Sequence, residues 1–283
     1  MKQSARLAKR FGTWAVVTGA SDGIGRAFAW EAARSGLHLV LVARRKDRLD
    51  SLAQEIAAAH KVQTVVLACD LSQDSGIDAV VNATSALDVG LLVAAAGFGT
   101  SGPILEVNLV EERSMLQLNC YALFALSVHF GRQFARRGRG GMILMSSLVG
   151  WQGTPFAAHY AATKAYVQSL AEAMHTELKG SGVDVLASAP GPVNSGFAAR
   201  ADMRMGAAAT PADVAKASLA ALGRSRTVVP GLLSKVLTYS LVLLPRVART
   251  RIMGQIMRGM TKHQTFGAPT PLTKQAPIRE DQP

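Results

Sequence analysis

Cysteine is scarce in this sequence of 283 residues, which contains only Cys69 and Cys120. Two thiols so far apart in the chain exclude a disulfide-rich scaffold and a zinc site built from cysteine pairs. We expect both to be free thiols in a reducing, cytoplasmic compartment. The six histidines are scattered and form no H-E-x-x-H pair, so we expect no metal site.

Long apolar runs are also missing. The most apolar window, Val236–Pro245, contains ten uncharged residues, whereas a membrane-spanning helix needs ~20. The first apolar segment, Trp14–Thr18, is short and leads into a glycine loop, so we expect no secretory signal. Because 49% of the residues are apolar and 18% are charged, the composition excludes a disordered, collagenous or coiled-coil protein.

Acidic side chains are missing from one end of the chain and rare at the other. Residues 1–12 carry four bases and no acid, residues 223–283 carry ten bases and two acids, and residues 13–222 carry seventeen of each sign. A domain that binds a phosphate backbone should itself be basic, so we expect no nucleic-acid partner. The basic ends leave open a peripheral contact with an anionic membrane surface.

Between residues 14 and 229, unbroken apolar runs alternate with segments of helical period. The runs predict strands at Trp14–Thr18, Leu37–Ala43, Val62–Ala68, Leu91–Ala95, Met142–Ser146, Val183–Ala189 and Thr227–Val229. The other segments predict helices at Ile24–Ser35, Asp47–Ala59, Ile77–Thr84, Glu111–Arg137, Ala157–Lys179 and Pro211–Leu222. Such strands are typical of parallel sheets buried on both faces. The sequence therefore predicts an α/β fold with a doubly wound, Rossmann-like parallel sheet in a single domain.

Composition divides the chain into four parts. We expect a basic N-terminal arm over residues 1–12, a dinucleotide-binding catalytic domain over 13–230, an amphipathic helical extension over 231–262 and a disordered, Pro-rich tail over 263–283.

In the extension, helical spacing predicts one apolar face for each of two helices separated by Pro245. The first face comprises Leu232, Leu233, Val236, Leu237, Leu241 and Leu244, and the second comprises Ile252, Met253, Ile256, Met257 and Met260. Arginines lie close to both, at Arg246, Arg249, Arg251 and Arg258. Three interpretations remain open: packing over a substrate cleft, a subunit contact, or an interfacial helix on anionic lipid.

A glycine-rich turn follows the first predicted strand, with the spacing G-x-x-x-G-x-G. Glycines at such a turn let backbone amides approach a pyrophosphate at the positive end of the following helix. We therefore predict a nucleotide site formed by Gly19, Ser21, Gly23, Ile24 and Gly25. Asp22 is unexpected within it, because a carboxylate near a phosphate is unfavourable unless it turns outward or caps the helix.

The end of the second strand indicates which dinucleotide is bound. Folds that prefer the unphosphorylated cofactor place Asp or Glu here to bind the ribose 2′-hydroxyl, whereas this chain has Ala43 followed by Arg44. A guanidinium is a permanently charged donor suited to a 2′-phosphate, so we predict NADP(H) as the cofactor. The alternative is a solvated Arg-Arg-Lys run that opens a helix. Asp70, after the third strand, is expected either to accept from the adenine amino group or to cap the next helix.

A phenol and an ammonium are predicted on one face of the helix that follows the fifth strand. Tyr160 and Lys164 are four residues apart, and no other tyrosine here has a lysine at that spacing. An unperturbed phenol, with a pKa of ~10, is a poor acid–base group near neutral pH, and a nearby ammonium favours the phenolate. Ser147, just past the fifth strand, is suited to hydrogen-bond a substrate carbonyl and polarise it.

Together these residues resemble the short-chain dehydrogenase/reductase family. The family pattern is matched in order and spacing over roughly residues 12–230 by the glycine loop, Asp70, Asn119, Ser147, Tyr160, Lys164 and the turn Pro190-Gly191-Pro192-Val193. The resemblance implies that Ser147 and Tyr160 hold the reacting oxygen and that Tyr160 donates or takes a proton. It implies that Lys164 lowers the pKa of Tyr160 and binds the nicotinamide ribose, and that Asn119 supports a proton relay through water.

The resemblance also implies further contacts with the cofactor. Tyr160 and Lys164 are joined there by Leu71, Gly97, Pro190, Gly191, Val193 and Ser195. One segment departs from the family pattern, which usually has Asn-Asn-Ala-Gly after the fourth strand, whereas this chain has Ala94-Ala95-Ala96-Gly97. The turn at Gly97 is expected to persist, but a side-chain hydrogen bond that braces the central sheet is expected to be lost.

The activity that this resemblance implies is NADP(H)-dependent hydride transfer between nicotinamide and a carbonyl or secondary alcohol. The basic, apolar extension resembles that of family members acting on lipophilic ketones, and Met203 and Met205 in the predicted substrate loop suit an apolar ligand. The family implies a homo-oligomer. The alternatives are a non-catalytic NADP-binding sensor, against which the intact catalytic residues argue, and a membrane-peripheral adaptor that uses only the C-terminal helices.

Overall fold

The computed structural model describes residues 4–206 and 208–264. The first three residues of the predicted basic arm, and the predicted Pro-rich tail from residue 265 onward, lie outside the described residues.

Seven parallel strands form the central sheet. They are β1 (Trp14–Thr18), β2 (His38–Ala43), β3 (Thr64–Ala68), β4 (Val89–Ala94), β5 (Gly140–Met145), β6 (Val183–Ser188) and β7 (Thr227–Val228). The strand order is β3-β2-β1-β4-β5-β6-β7, and every pairing is parallel. The order reverses between β1 and β4, so the predicted doubly wound, Rossmann-like sheet is confirmed.

Helices cover both faces of this sheet. They are α1 (Ser4–Phe11), α2 (Gly23–Arg34), α3 (Lys46–His60), α4 (Asp74–Thr84), α5 (Leu109–Leu116), α6 (Leu123–Arg136), α7 (Ala158–Leu178), α8 (Phe197–Arg200), α9 (Pro211–Ala221), α10 (Leu232–Val242) and α11 (Arg246–Met260). None of the described helices combines the length and the apolar character that a membrane-spanning segment needs.

Two apolar clusters, one on each face, fix the helices to the sheet. On one face Phe28 of α2 and Leu52 of α3 pack in a cluster with Leu91 of β4. On the other face Phe130 and Phe134 of α6 pack in a second cluster. Because the strands contribute buried side chains to both clusters, their sequences are continuously apolar, which is the pattern that predicted them.

Part of the basic arm is helical and belongs to the packed structure. Phe11, at the end of α1, is buried in the same cluster as Phe28. Arg10 forms a salt bridge with Asp184 of β6, with 2.6 Å between Nη2 and Oδ2. The charge of residues 1–12 concealed this role in the sequence, although Leu7 and Phe11 have the spacing of one helix face.

The predicted helix over Glu111–Arg137 is not a regular α-helix. Between α5 and α6 the chain forms a π-helical stretch over Gln117–Ala122. π-helical turns are rare within α-helices and occur frequently at functional sites. Asn119 lies in this stretch and is fully buried.

The hydroxyl of Thr18 links β1 to the segment after β4. It donates to the carbonyl oxygen of Val93 at 3.5 Å and accepts from the amide of Ala96 at 3.0 Å. The alanines after β4 offer no side-chain amide for this purpose, as the sequence indicated. The central sheet nevertheless has a side-chain brace at this point, supplied by Thr18.

Candidate active site

A long cleft crosses the carboxyl ends of the strands where the strand order reverses. In doubly wound sheets this is where ligands bind, because the loops after the two central strands diverge. One half of the cleft lies against the glycine loop and the ends of β2 and β3, and the other half lies against Tyr160, Lys164, α10 and α11. The halves are continuous, since both are lined by Ile24, Ala95, Gly97, Ser195 and Phe197.

Side chains would obstruct the glycine loop. Gly19 has a positive φ of 70°, and a Cβ there would lie 2.9 Å from the carbonyl oxygen of Ala95. A Cβ on Gly25 would lie 2.2 Å from the carbonyl oxygen of Gly19. The loop therefore keeps its backbone open to the cleft only with glycine at these positions. Ser21, Gly23 and Ile24 also line the cleft, so the structure brings together all five residues predicted at this turn.

Asp22 is accommodated in both of the ways that the sequence allowed. Its Oδ1 accepts from the amide of Gly23 at 2.7 Å and so caps α2. Its Oδ2 forms salt bridges with Arg45, at 3.4 Å, and with Arg48, at 3.2 Å. The carboxylate is therefore neutralised beside the place where a phosphate would bind.

Two arginines lie at the outer end of the glycine-loop half. Arg44 is 62% exposed, and its Nη1 is 3.8 Å from Oδ2 of Asp70. Arg45, which the sequence analysis did not select, places Nη2 3.1 Å from the hydroxyl of Ser21 and also lines the cleft. Both guanidinium groups therefore reach the rim of the cleft. Its position directly after Arg44 was the only signal for Arg45.

Asp70 and Leu71 follow β3 and line the same half of the cleft. Oδ1 of Asp70 accepts from the amide of Ser72 at 2.9 Å and from its hydroxyl at 2.8 Å. This turn fixes the carboxylate, and its second oxygen faces Arg44. The carboxylate thus forms a local turn, while an adenine contact stays a prediction.

Tyr160, Lys164 and Ser147 meet at the inner end of the cleft. Tyr160 and Lys164 lie one turn apart on α7, with Lys164 Nζ 5.8 Å from the centre of the phenol ring. That ammonium donates to the carbonyl oxygen of Met145, at the end of β5, at 2.9 Å. The hydroxyl of Ser147 is close enough to Tyr160 to lower its pKa, and it donates to the carbonyl oxygen of Pro190 at 3.4 Å. The three predicted catalytic side chains are therefore in one place.

Burial shifts the pKa values of both groups on α7. It raises the pKa of Tyr160, and the hydrogen bond with Ser147 opposes that rise without cancelling it. It lowers the pKa of Lys164 to about 8. The phenol therefore keeps its proton at neutral pH, and Lys164 changes charge close to physiological pH. The lowering of the Tyr160 pKa by Lys164, which the resemblance implies, stays a prediction.

Asn119 is tied to the backbone behind this group. Its Oδ1 accepts from the amide of Phe98 at 3.1 Å, and its Nδ2 donates to the carbonyl oxygen of Phe98 at 2.8 Å and to the hydroxyl of Thr163 at 3.1 Å. A Cβ on Gly97 would lie 2.8 Å from that Oδ1 and 3.5 Å from Lys164 Nζ. The structure thus places Gly97 between Asn119 and Lys164.

The turn after β6 forms another wall of the cleft. The cleft is lined by all four residues of the turn, Pro190, Gly191, Pro192 and Val193, and by Ser195. A Cβ on Gly191 would lie 2.4 Å from the hydroxyl oxygen of Ser234, so α10 packs directly against this turn. Ser195 Oγ accepts from the amide of Phe197, the first residue of α8, at 3.4 Å. The phenyl ring of Phe197 lies 5.3 Å from the ring of Tyr160.

Beyond Tyr160 the cleft is apolar. Lys164 is the only charged residue among the described residues that line this half. Both helices of the extension contribute to it, chiefly with methionine and aliphatic side chains. From the extension these are Leu237, Leu241, Met253, Ile256, Met257 and Met260, and from the rest of the chain Met145, Leu148, Val149, Met203 and Met205. Met203 and Met205 were predicted in the substrate loop, but spacing along one chain could not indicate that Met145 lines the same half of the cleft.

His159, next to Tyr160, pairs with Glu112 and is not among the described residues that line the cleft. His159 Nδ1 lies 2.5 Å from Oε2 of Glu112, a buried residue of α5, so the pair joins α5 to the start of α7. Across residues 4–206 and 208–264, no three His, Cys, Asp or Glu side chains cluster as a metal site would require.

Comparisons with known proteins agree with this geometry. A family model described as short chain dehydrogenase matches residues 13–205. A 7beta-hydroxysteroid dehydrogenase of Clostridium sardiniense is 34% identical over 231 residues, which are 80% of this chain and 88% of the relative. A very-long-chain 3-oxoacyl-CoA reductase of Pyricularia oryzae is 38% identical over 179 residues, which are 62% of this chain and 54% of the relative.

Solved structures give the same result. A structure solved in work on 7beta-hydroxysteroid dehydrogenase stereoselectivity superposes with a TM-score of 0.81 at 28% identity, covering 87% of this chain and 98% of that one. A short-chain dehydrogenase from Sphingobium yanoikuyae in complex with NADPH superposes with a TM-score of 0.73 at 27% identity, covering 91% and 98%. The family resemblance predicted from the sequence is confirmed: this protein belongs to the short-chain dehydrogenase family of oxidoreductases.

Proposed function

We propose that this protein is an NADP(H)-dependent carbonyl reductase or alcohol dehydrogenase that acts on an apolar substrate. The observation that carries the proposal is the position of Ser147, Tyr160 and the buried Lys164 together at the inner end of a cleft that leads to the glycine loop. Intact catalytic side chains argue against a sensor that only binds the cofactor. They also argue against an adaptor that leaves the cleft unused.

The cleft fits a dinucleotide with a 2′-phosphate. The glycine loop is a cradle that Cβ atoms would fill, and it opens at the N-terminus of α2, where the helix dipole favours a pyrophosphate. Arg44 and Arg45 would hold a 2′-phosphate at the outer end, where a carboxylate would favour the unphosphorylated form instead. The nicotinamide end would lie against Gly97, the turn after β6, Ser195 and Lys164.

The bound cofactor supplies the hydride, and this chain supplies orientation and proton transfer. Ser147 would donate to the substrate carbonyl and so polarise it. The hydroxyl of Tyr160 would give its proton to the oxygen as negative charge develops there. The raised pKa of Tyr160 keeps the phenol protonated before reduction, so the acid is ready when the substrate binds.

Lys164 would stabilise the phenolate that forms when Tyr160 has given up its proton. Its ammonium lies near the phenol ring and is held by the carbonyl of Met145. Asn119 would support reprotonation through water, which is the role that the family resemblance implies. Both roles stay proposals for this chain.

The lining of the apolar half of the cleft, beyond Tyr160, favours a bulky, apolar ketone or alcohol. Methionine and aliphatic side chains surround this half, and flexible thioethers adapt to large apolar ligands. Lys164 apart, the described lining offers no charge that would bind an ionised group near the reacting carbon. The names of the relatives, a hydroxysteroid dehydrogenase and a long-chain 3-oxoacyl-CoA reductase, are compatible with such a substrate.

We also propose a homo-oligomer in the cytoplasm. Large apolar side chains are exposed on the neighbouring segments α5, α6 and α7 and on the π-helical stretch, namely Leu109, Val110, Leu116, Tyr121, Phe124 and Tyr166. A face of this kind is suited to self-association by two-fold symmetry. Cys69 and Cys120 are free thiols, which suits a reducing compartment.

Replacing Tyr160 by Phe tests the proposed reaction. We expect Tyr160→Phe to lower the rate of ketone-dependent NADPH oxidation by at least 100-fold, because the proton donor is lost. Binding of NADPH, followed by fluorescence titration, should change less than about threefold. The control is Tyr166→Phe on the outer side of α7, which should keep full activity. Undiminished turnover by Tyr160→Phe would contradict the proposed mechanism.

Replacing Arg44 by Ala tests the cofactor. We expect Arg44→Ala to raise the KM for NADPH by about 10- to 100-fold, which corresponds to a lost charge-assisted hydrogen bond. The KM for NADH should change little, because NADH has no 2′-phosphate. Arg48→Ala is the matched control, since Arg48 pairs with Asp22. An equal rise in the KM for NADPH and for NADH would show that Arg44 does not bind the 2′-phosphate.

The pKa of Lys164 predicts a limit to reductase activity at alkaline pH. Burial lowers this pKa to about 8, so the ammonium is present below pH 8 and is lost above it. We expect kcat/KM for ketone reduction to be level from pH 6 to 7.5 and to fall as pH rises through about 8. A Lys164→Met variant should have low activity without that inflection. A wild-type profile that stays level to pH 9.5 would contradict the role of the Lys164 charge.

A further inference from the structure

The polarity of α10 is reversed relative to an ordinary surface helix. Its buried positions, Ser234, Thr238 and Leu241, include two small hydroxyl residues. Its outer stripe has the helical spacing of one face and consists of large side chains, Leu232, Val236, Tyr239 and Leu243. The apolar residues that were predicted to share one face of this helix are divided between its two sides in the structure.

Packing explains the inner face of α10 but not the outer one. Ser234 must be small because it contacts the turn at Gly191, and Leu237 and Leu241 line the cleft. Nothing in the described fold covers the outer stripe, where Leu232 is 79% and Leu243 is 86% exposed. Further large apolar side chains surround the stripe, namely Leu233, Val242, Leu244 and Val247. Contiguous apolar surface of this kind marks an interaction site.

The charged side chains of the C-terminal segment itself have a single sign. From residue 214 to residue 264 the chain contains no Asp or Glu. The exposed charged residues on α10, on α11 and just after it are Lys235, Arg246, Arg251, Arg258 and Lys262. An exposed apolar helix in a segment whose charged side chains are all basic is complementary to anionic lipid headgroups over an acyl layer.

We propose that the outer face of α10, together with these bases, docks on an anionic membrane surface. A lipid surface can bind both the apolar side chains and the bases of this face. Leu and Val side chains would enter the acyl boundary, and Lys and Arg side chains would contact the headgroups. The phenol of Tyr239 suits that boundary, being apolar in its ring and polar at its tip. A second copy of this chain fits less well, since a two-fold contact would bring the same bases together.

Docking in this way places a wall of the cleft at the lipid surface. α10 has the apolar half of the cleft on its inner side, where Leu237 and Leu241 line it, and the proposed lipid-facing stripe on its outer side. A substrate dissolved in the bilayer would therefore enter past α10 without crossing bulk water. This consequence rests on the proposed function, whereas the docking itself does not.

Vesicle flotation of the full chain tests the docking. The probes are phosphatidylcholine vesicles and vesicles with 30% phosphatidylglycerol, at low and high NaCl. The apolar variant carries Leu232→Ser, Val236→Ser, Tyr239→Ser and Leu243→Ser, and the charge variant carries Lys235→Gln, Arg246→Gln and Arg251→Gln. The matched controls replace equally exposed residues outside both proposed interaction faces, with Ile104→Ser and Leu105→Ser for the first and Arg132→Gln, Lys179→Gln and Lys216→Gln for the second.

We expect the wild type and both control variants to float with the anionic vesicles and to be released by salt. The charge variant should bind on the order of 100-fold more weakly, because each base near an anionic surface contributes about fivefold. The apolar variant should lose binding to a similar extent while its circular dichroism and its NADPH oxidation with a water-soluble ketone stay unchanged.

Three results would overturn the proposal. The first is a wild type that does not float or that binds neutral and anionic vesicles equally. The second is an apolar variant that floats like the wild type. The third is a fall in the native mass of the apolar variant by sedimentation, which would make this face a subunit interface. Loss of ketone reduction by the wild type would instead refute the proposed function, and flotation would still decide the docking.

Discussion

The burial of Lys164 is the constraint on which the rest of the site depends. An ammonium removed from water is costly unless it is hydrogen-bonded, and here it donates to the carbonyl of Met145 at the end of β5. That bond sets α7 against the sheet and so places Tyr160 over the cleft. The same burial that holds the pair in place raises the pKa of the phenol and lowers that of the ammonium. The burial of Tyr160 and Lys164 therefore determines both their position in the fold and their pKa values.

Much of this arrangement was predictable from the sequence, because it depends on local spacing. Unbroken apolar runs indicated the parallel strands, and the four-residue spacing of Tyr160 and Lys164 indicated a shared helix face. Glycines at 19 and 25 indicated a cradle, and the structure gives the reason, since a Cβ at either position would contact backbone atoms. These features are set by neighbours in the chain, which a single sequence contains.

Other features depend on contacts between distant segments and were not predictable in this way. Arg45 gains its position from Ser21, and Phe11 gains its burial from a cluster that includes β4. The raised pKa of Tyr160 depends on how completely the fold encloses it, which spacing does not reveal. For α10, the sequence indicated apolar positions but not which side faces the protein. That division depends on Gly191, which forces a small residue inward at Ser234.

The excess positive charge has a separate meaning from the chemistry of the site. Arg44 lies in a body that carries equal numbers of bases and acids, and its proposed role concerns one phosphate. The bases of α10 and α11 lie beside exposed apolar side chains on the outside of the helices that close the cleft. One short segment thus has two faces, one toward an apolar ligand and one toward the surroundings.

The most direct test of the central claim is the transfer of a hydrogen label from the cofactor. NADPH that carries deuterium at both positions of the hydride-bearing carbon of the nicotinamide would be incubated with the protein and a panel of bulky, apolar ketones. The products would then be analysed by mass spectrometry and NMR. Our account predicts one deuterium on the carbinol carbon of the product alcohol. An alcohol formed without deuterium at that carbon, or no reduction of any ketone in the panel, would contradict it.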